Sequence, residues 1–147
     1  MIIYLNGTQV ETSNARLDPA DRGFTLGDGV FETIRVRNGK PDPLDAHIAR
    51  LREGANVLGI IMPTTDTGIA SRITGVLEAN ELSDAVVRVT LSHGPGPRGL
   101  LPPEPAFPTL IISAAPRPEP AGPAKAIIPM TTRRNEHSTT SRLKSVS

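Results

Sequence analysis

Lys144 is the residue with the most chemistry open to it. It is one of three lysines, beside Lys40 and Lys125, and it closes the polar run Arg133-Arg134-Asn135-Glu136-His137-Ser138-Thr139-Thr140-Ser141-Arg142-Leu143-Lys144. Left in water, such a lysine is an ordinary solvated side chain. A lysine that is desolvated or set near other cations becomes a nucleophile able to form a Schiff base with a carbonyl. Three arginines raise a second kind of chemistry, the recognition of anions. Arg98 sits in Gly94-Pro95-Gly96-Pro97-Arg98-Gly99, where the glycines keep the loop open and the guanidinium could clamp a substrate carboxylate. The plainer reading is an exposed loop arginine. Arg50 lies one position off the apolar stripe of a helix, where a surface arginine is the default. Arg88 alternates onto the polar face of a strand, toward either a cleft or solvent.

Other chemistries find no support. The chain has no cysteine, which removes a thiolate nucleophile, a disulfide framework and a cysteine-ligated metal. His47, His93 and His137 are not spaced as a metal site and no carboxylate cluster joins them. No serine stands in a nucleophile elbow, and the glycine loop lacks both a Walker ending and a dinucleotide fingerprint. Net charge is +1 and aromatic content 3%, with no arginine cluster interleaved with stacking rings, so nucleic-acid binding is unsupported. The Arg133-Arg134 pair reads as solvated. No run approaches membrane-spanning length and the apolar start Met1 to Leu5 ends too early for a signal peptide, so a cytoplasmic protein is expected.

The elements that must position these residues can be read from local pattern. Ile2 to Leu5 is a short strand, Asn6-Gly7 a hairpin turn, and Thr8 to Val10 its return. Asp18 to Arg22 is turn-rich. Val30 to Arg37 is a strand that alternation divides cleanly: Val30, Glu32, Ile34 and Val36 share one face, and Phe31, Thr33, Arg35 and Arg37 the other. Phe31 and Thr33 therefore face a presumed cleft, Phe31 as a wall, whereas Glu32 on the opposite face suits a structural ion pair or hydrogen bond. Asn38-Gly39 closes a second hairpin. A helix capped by Asp45 runs to about Leu58, with Leu44, Ile48, Leu51, Ala55 and Leu58 at helical spacing and Gly59 as its stop; a second runs from Asp66 to about Asn80. Ala85 to Ser92 is a strand with Val87, Val89 and Leu91 inward. Thr109 to Ala114 is apolar enough to be central. Pro116 to Pro123 can form neither helix nor central strand and reads as a connector.

The expected fold is therefore α+β, an antiparallel sheet with two helices packed on one face. Residues 1–115 form this domain, 116–123 a linker, and 124–147 the start of a second domain whose first strand is Ala126 to Met130. The uncovered sheet face, with Phe31, Thr33, Arg88 and Thr90, calls for a cover that a second domain would supply.

The run Arg22-Gly23-Phe24-Thr25-Leu26-Gly27-Asp28-Gly29-Val30-Phe31-Glu32-Thr33-Ile34-Arg35-Val36, together with His47-Ile48-Ala49-Arg50-Leu51, resembles the opening of a class IV (fold type IV) pyridoxal-phosphate enzyme. That family includes branched-chain aminotransferases, D-amino acid aminotransferases and aminodeoxychorismate lyases. The segment from Arg134-Asn135-Glu136-His137 through Leu143-Lys144-Ser145 is similar to the one that holds the family's Schiff-base lysine. The resemblance implies pyridoxal 5'-phosphate as cofactor, Lys144 as the catalytic lysine bonded to it, and Arg50 as ligand of its phosphate. The cleft-face residues Phe31, Thr33 and Arg88 together with Arg98 are then the expected substrate site, Gly-Arg-Gly loops similar to that of Arg98 being found in the family. Amino acid and 2-oxo acid substrates and a homodimer are what the resemblance implies for partners. It covers the front part of the family's pattern, ending just after the lysine; the second domain that follows supplies the acidic partner of the pyridinium nitrogen and further phosphate-binding loops. An aminotransferase, an aminodeoxychorismate lyase and a non-catalytic folding or dimerisation fragment remain open as functions.

Overall fold

A computed structural model of the chain describes residues 1–119, 122–133 and 135–147. Six strands form one antiparallel sheet in the order β2-β1-β6-β5-β3-β4: β1 (Ile2–Leu5), β2 (Thr8–Glu11), β3 (Gly29–Arg37), β4 (Lys40–Asp42), β5 (Ala85–Ser92) and β6 (Thr109–Pro116). Both Asn-Gly turns take the left-handed conformation their sequence suits, with φ of 45° at Asn6 and 47° at Asn38. β6 lies between β1 and β5, the interior position its apolar sequence predicts. Pro41 in β4 removes a ladder donor, which is tolerated because β4 is an edge strand.

Two long helices, α2 (Leu44–Leu58) and α3 (Asp66–Ala79), cover one face; a third, α1 (Arg22–Leu26), is only five residues long. Ile34, Val36, Val87, Val89, Leu91 and Ile112 of the sheet pack with Ile48, Leu51, Ala55, Ile69, Ile73 and Val76 of the helices in a single buried cluster. Period-two alternation in the strands meets period-3.6 stripes in the helices, so each element buries one face.

Several local expectations differ from the structure. Asp45 does not cap α2: the helix begins one residue earlier, Pro43 occupies the cap position with no side-chain bond, and Asp45 lies in the first turn, where its charge suits the helix dipole. The cap of α3 is Thr65, whose Oγ1 accepts from the Gly68 amide at 3.1 Å. α1 follows directly on the turn-rich Asp18 to Arg22, where no helix is expected because five residues are too few to show a helical period; Asp21 caps it by accepting from the Gly23 amide. Ala126 to Met130 forms no strand. Ile127, Ile128 and Met130 are each about nine-tenths exposed, and a strand needs a neighbour that no described residue provides. Pro120 and Ala121 of the connector, and Arg134 of the basic pair, lie outside the described residues.

The C-terminal segment returns to the sheet. After a short 3-10 turn (Thr139–Arg142), the Phe31 amide donates to the Lys144 carbonyl at 2.9 Å and the Val146 amide to the Gly29 carbonyl at 3.0 Å. This is possible because β4 pairs only with Arg35 to Arg37, leaving the edge of β3 at Gly29 to Ile34 open.

Candidate active site

Glu32 is the centre of the site. Alternation along β3 turns its carboxylate toward the helices, where it is 1% exposed. A buried carboxylate needs donors, and the first two turns of α2 provide them. Arg50 donates from Nε to Oε1 at 2.5 Å and from Nη2 to Oε2 at 2.6 Å, a two-pronged pair. His47, one turn earlier on the same helix face, donates from Nδ1 to Oε2 at 2.7 Å. Since the carboxylate can only accept, Nδ1 carries the proton, and the 3.2 Å approach of Arg50 Nη2 to that nitrogen is mere proximity. Burial pushes the Glu32 carboxyl up, but the hydrogen bonds from Arg50 and His47 and the charges of Lys144 and Arg50 together outweigh it and hold the group below the ordinary carboxylate range. The same pair pushes the Arg50 guanidinium up: the Glu32 hydrogen bond outweighs the opposing effect of burial.

Lys144 comes to this carboxylate from the far end of the chain. Its Nζ is 3.5 Å from Glu32 Oε2 and 5.1 Å from the centroid of the Phe31 ring. Glu32 and Phe31 point to opposite faces of β3, so Lys144 touches both by passing around the open edge of the strand. Its side chain is one-third exposed.

On the outer face, Arg88 stacks on the same ring with Cζ 3.8 Å from the centroid, and its Nε donates to Thr90 Oγ1 at 3.3 Å. Thr33 is exposed and pairs in register with Arg88. Lys144, Arg50, Phe31, Arg88 and Thr33 thus gather about one stretch of β3. Arg98 does not join them: it lines a separate cleft of about 480 Å³ with Pro19, Ala20, Arg22, Leu26 and Gly96. His47, which the sequence places in the motif with Arg50 but gives no role in the site, completes it. Its signal was the three-residue spacing from Arg50, which places both on one face of a helix. Among the described residues no group of three or more His, Asp or Glu is gathered to hold a metal, and no helix is long and apolar enough to cross a membrane.

A helix-borne arginine, a buried carboxylate and a lysine from the C-terminal segment thus meet along the open half of β3. Residues 29–147 match the family described as amino-transferase class IV, and the chain belongs to that family. The chain is 35% identical over 98 residues to a D-alanine aminotransferase of Bacillus licheniformis, covering 67% of this chain and 35% of that one. It is 38% identical over 95 residues to an aminodeoxychorismate lyase of Bacillus subtilis, covering 65% and 32%. The crystal structure of a 4-amino-4-deoxychorismate lyase from Pseudomonas aeruginosa superposes with a TM-score of 0.68 at 34% identity, over 81% of this chain and 41% of that one. A hypothetical aminotransferase from Mycobacterium tuberculosis in its PLP-bound form shares the fold, with a TM-score of 0.66 at 24% identity, over 80% and 40%. The chain therefore spans about a third to two-fifths of the length of the relatives it matches.

Proposed function

We propose that this chain is the N-terminal portion of a pyridoxal 5'-phosphate-dependent aminotransferase that moves an amino group between an amino acid and a 2-oxo acid. Lys144 is the lysine that bonds to the cofactor, and Arg50 binds the cofactor phosphate. The observation that carries this reading is that Lys144 and Arg50, distant in sequence, both reach the buried carboxylate of Glu32.

The donor set suits the cofactor. An amine is available for its aldehyde. Arg50 has two nitrogens on Glu32, while Nη1 has no hydrogen-bond partner among the described residues and can serve a phosphate oxygen. When bound, the cofactor supplies an electron sink for the carbanion at the substrate α-carbon. Glu32 holds the plane of the Arg50 guanidinium, so the anion ligand is oriented before the phosphate arrives. His47 fixes the other side of that carboxylate. Lys144 carries the proton to and from the α-carbon as a general acid and base. Phe31 walls the site and Thr33 and Arg88 face the substrate from the sheet, while Arg98 is the clamp for the substrate carboxylate from the separate cleft that it lines. The acidic partner of the ring nitrogen and the remainder of the phosphate cradle come from a second domain that begins at residue 124, after a linker at 116–123. The exposed Ile127, Ile128 and Met130 are apolar surface for that domain to bury. The whole enzyme is a cytoplasmic homodimer.

A lyase that releases pyruvate from aminodeoxychorismate is the second reading, favoured by 34% identity to the Pseudomonas lyase. Incubation with D-alanine, L-leucine and aminodeoxychorismate separates the two: the first expects amino-group transfer to a 2-oxo acid, the second pyruvate without an acceptor. A purely non-catalytic module would retain no cofactor.

Borohydride reduction tests the lysine. In the full-length protein the reduced cofactor should be found on the peptide containing Lys144, and Lys144→Ala should abolish both the adduct and nearly all turnover. A cofactor found on Lys40 or Lys125 would refute the assignment.

A further inference from the structure

We propose that Arg22 is the positioning residue for Arg98; the inference rests on the reading of Arg98 as the carboxylate clamp. Arg22 is 4% exposed, and all three nitrogens of its guanidinium are engaged. Nε donates to Asp28 Oδ2 at 2.8 Å, Nη1 to the carbonyls of Gly99 at 3.2 Å and Leu101 at 3.1 Å, and Nη2 to the carbonyl of Leu100 at 2.8 Å. Asp28 Oδ2 also accepts from His93 Nδ1 at 2.9 Å, which ties the arginine to the residue following β5. The Arg22 amide donates to the Gly94 carbonyl and the Gly96 amide to the Ala20 carbonyl. Both ends of the loop that carries Arg98 are therefore fastened to residues 20–22.

Three successive carbonyls turned inward onto one guanidinium leave the side chains of Leu100 and Leu101 turned outward, 82% and 84% exposed. A buried cation is not needed to fill this space, since an apolar side chain would pack there as well or better. What the planar fork adds is geometry, because it accepts carbonyls only at fixed directions. Arg22 also walls two clefts. One holds Arg98, Gly96 and Pro97; the other holds Asp28, His93, Ser145 and Ser147, beside Lys144 in the chain. Arg22 is thus the side chain common to the clamp's cleft and the cleft of the segment that carries the cofactor lysine. It holds the backbone of the loop that carries the clamp.

The test is Arg22→Lys in the full-length enzyme, which keeps the charge for Asp28 but cannot span three carbonyls. A misplacement near 1 Å costs up to about 100-fold, so KM for a carboxylated amino donor should rise on the order of tenfold or more. The kcat for that donor, and kcat/KM for an amine lacking the carboxylate, should stay within about twofold. Hydrogen exchange should accelerate in residues 97–102 and stay unchanged in β5 and β6. Asp28→Asn, which weakens the bonds from Arg22 Nε and His93 Nδ1 but leaves the three carbonyl contacts, should shift both readouts in the same direction by less, and it carries the test if Arg22→Lys does not fold. Unchanged loop exchange and KM would overturn the proposal, as would an equal loss of kcat on every substrate. Arg98→Ala separates the two ideas. If it spares the preference for carboxylated donors, the clamp reading fails and the positioning role with it; if it destroys that preference while Arg22→Lys does not touch KM, the positioning role alone fails.

Discussion

Replacing Glu32 by glutamine removes one charge and one acceptor while leaving the shape nearly unchanged. In the native arrangement every neighbour is a donor: Arg50 Nε at 2.5 Å, Arg50 Nη2 at 2.6 Å, His47 Nδ1 at 2.7 Å and Lys144 Nζ at 3.5 Å. An amide offers one oxygen and one NH2 group, so at least one donor meets another donor whichever way the amide lies. Charge-assisted hydrogen bonds contribute about 1.5–3 kcal/mol each. The side chain of Arg50 is 50% exposed and that of Lys144 33%, so both regain water when the carboxylate goes. That discount brings the expected loss to about 2–3 kcal/mol in total. In the full-length protein this lowers the melting temperature by several degrees. The pH dependence has a definite sign. The folded Glu32 carboxyl lies below its ordinary value of 4.5, so its contribution is present in full above that value and is lost as pH falls through the folded value. Thermal melts of the full-length protein followed by circular dichroism should show the whole gap between wild type and Glu32→Gln at pH 7, narrowing steadily below pH 4.5. Equal melting temperatures at pH 7, or a gap that does not change with pH, would refute the view that a charged Glu32 anchors the site.

Arg50→Ala should weaken cofactor retention by about ten- to 100-fold, the loss of one charge-assisted contact; titration of the apo-enzyme with pyridoxal phosphate reads it, and unchanged affinity would return Arg50 to a purely structural pair with Glu32. Gly94→Ala should strongly destabilise the loop, because φ is +79° and the added Cβ would lie 1.8 Å from the Phe107 carbonyl oxygen; a variant as stable as wild type in denaturant titration would contradict this. Thr65→Ala should cost about 1 kcal/mol by removing the cap of α3, with no change in cofactor affinity, measured by the same denaturant titration.

Local sequence pattern sets the main strands and the two long helices and which side of each is buried, though not α1. Alternation in Val30 to Arg37 and Ala85 to Ser92, the helical stripe from Leu44 to Leu58 and the two Asn-Gly turns act over a few residues, and the structure follows them. Glu32 is assigned to the helix-facing side by the same rule, and its use in an ion pair was legible there. The motifs around Arg22 to Val36 and His47 to Leu51 carried the family. What stayed hidden depends on partners distant in sequence. The convergence of His47, Arg50 and Lys144 on one carboxylate requires the C-terminal segment to pair with the open edge of β3, and that edge is open only because β4 stops after three residues. Arg22 holds carbonyls of residues 99–101, which no local pattern announces, since backbone acceptors are present in every residue and only the path of the chain decides which of them meet a guanidinium. Ala126 to Met130 shows the converse limit: its composition favours a strand, but a strand exists only where another backbone lies alongside to complete its hydrogen bonds.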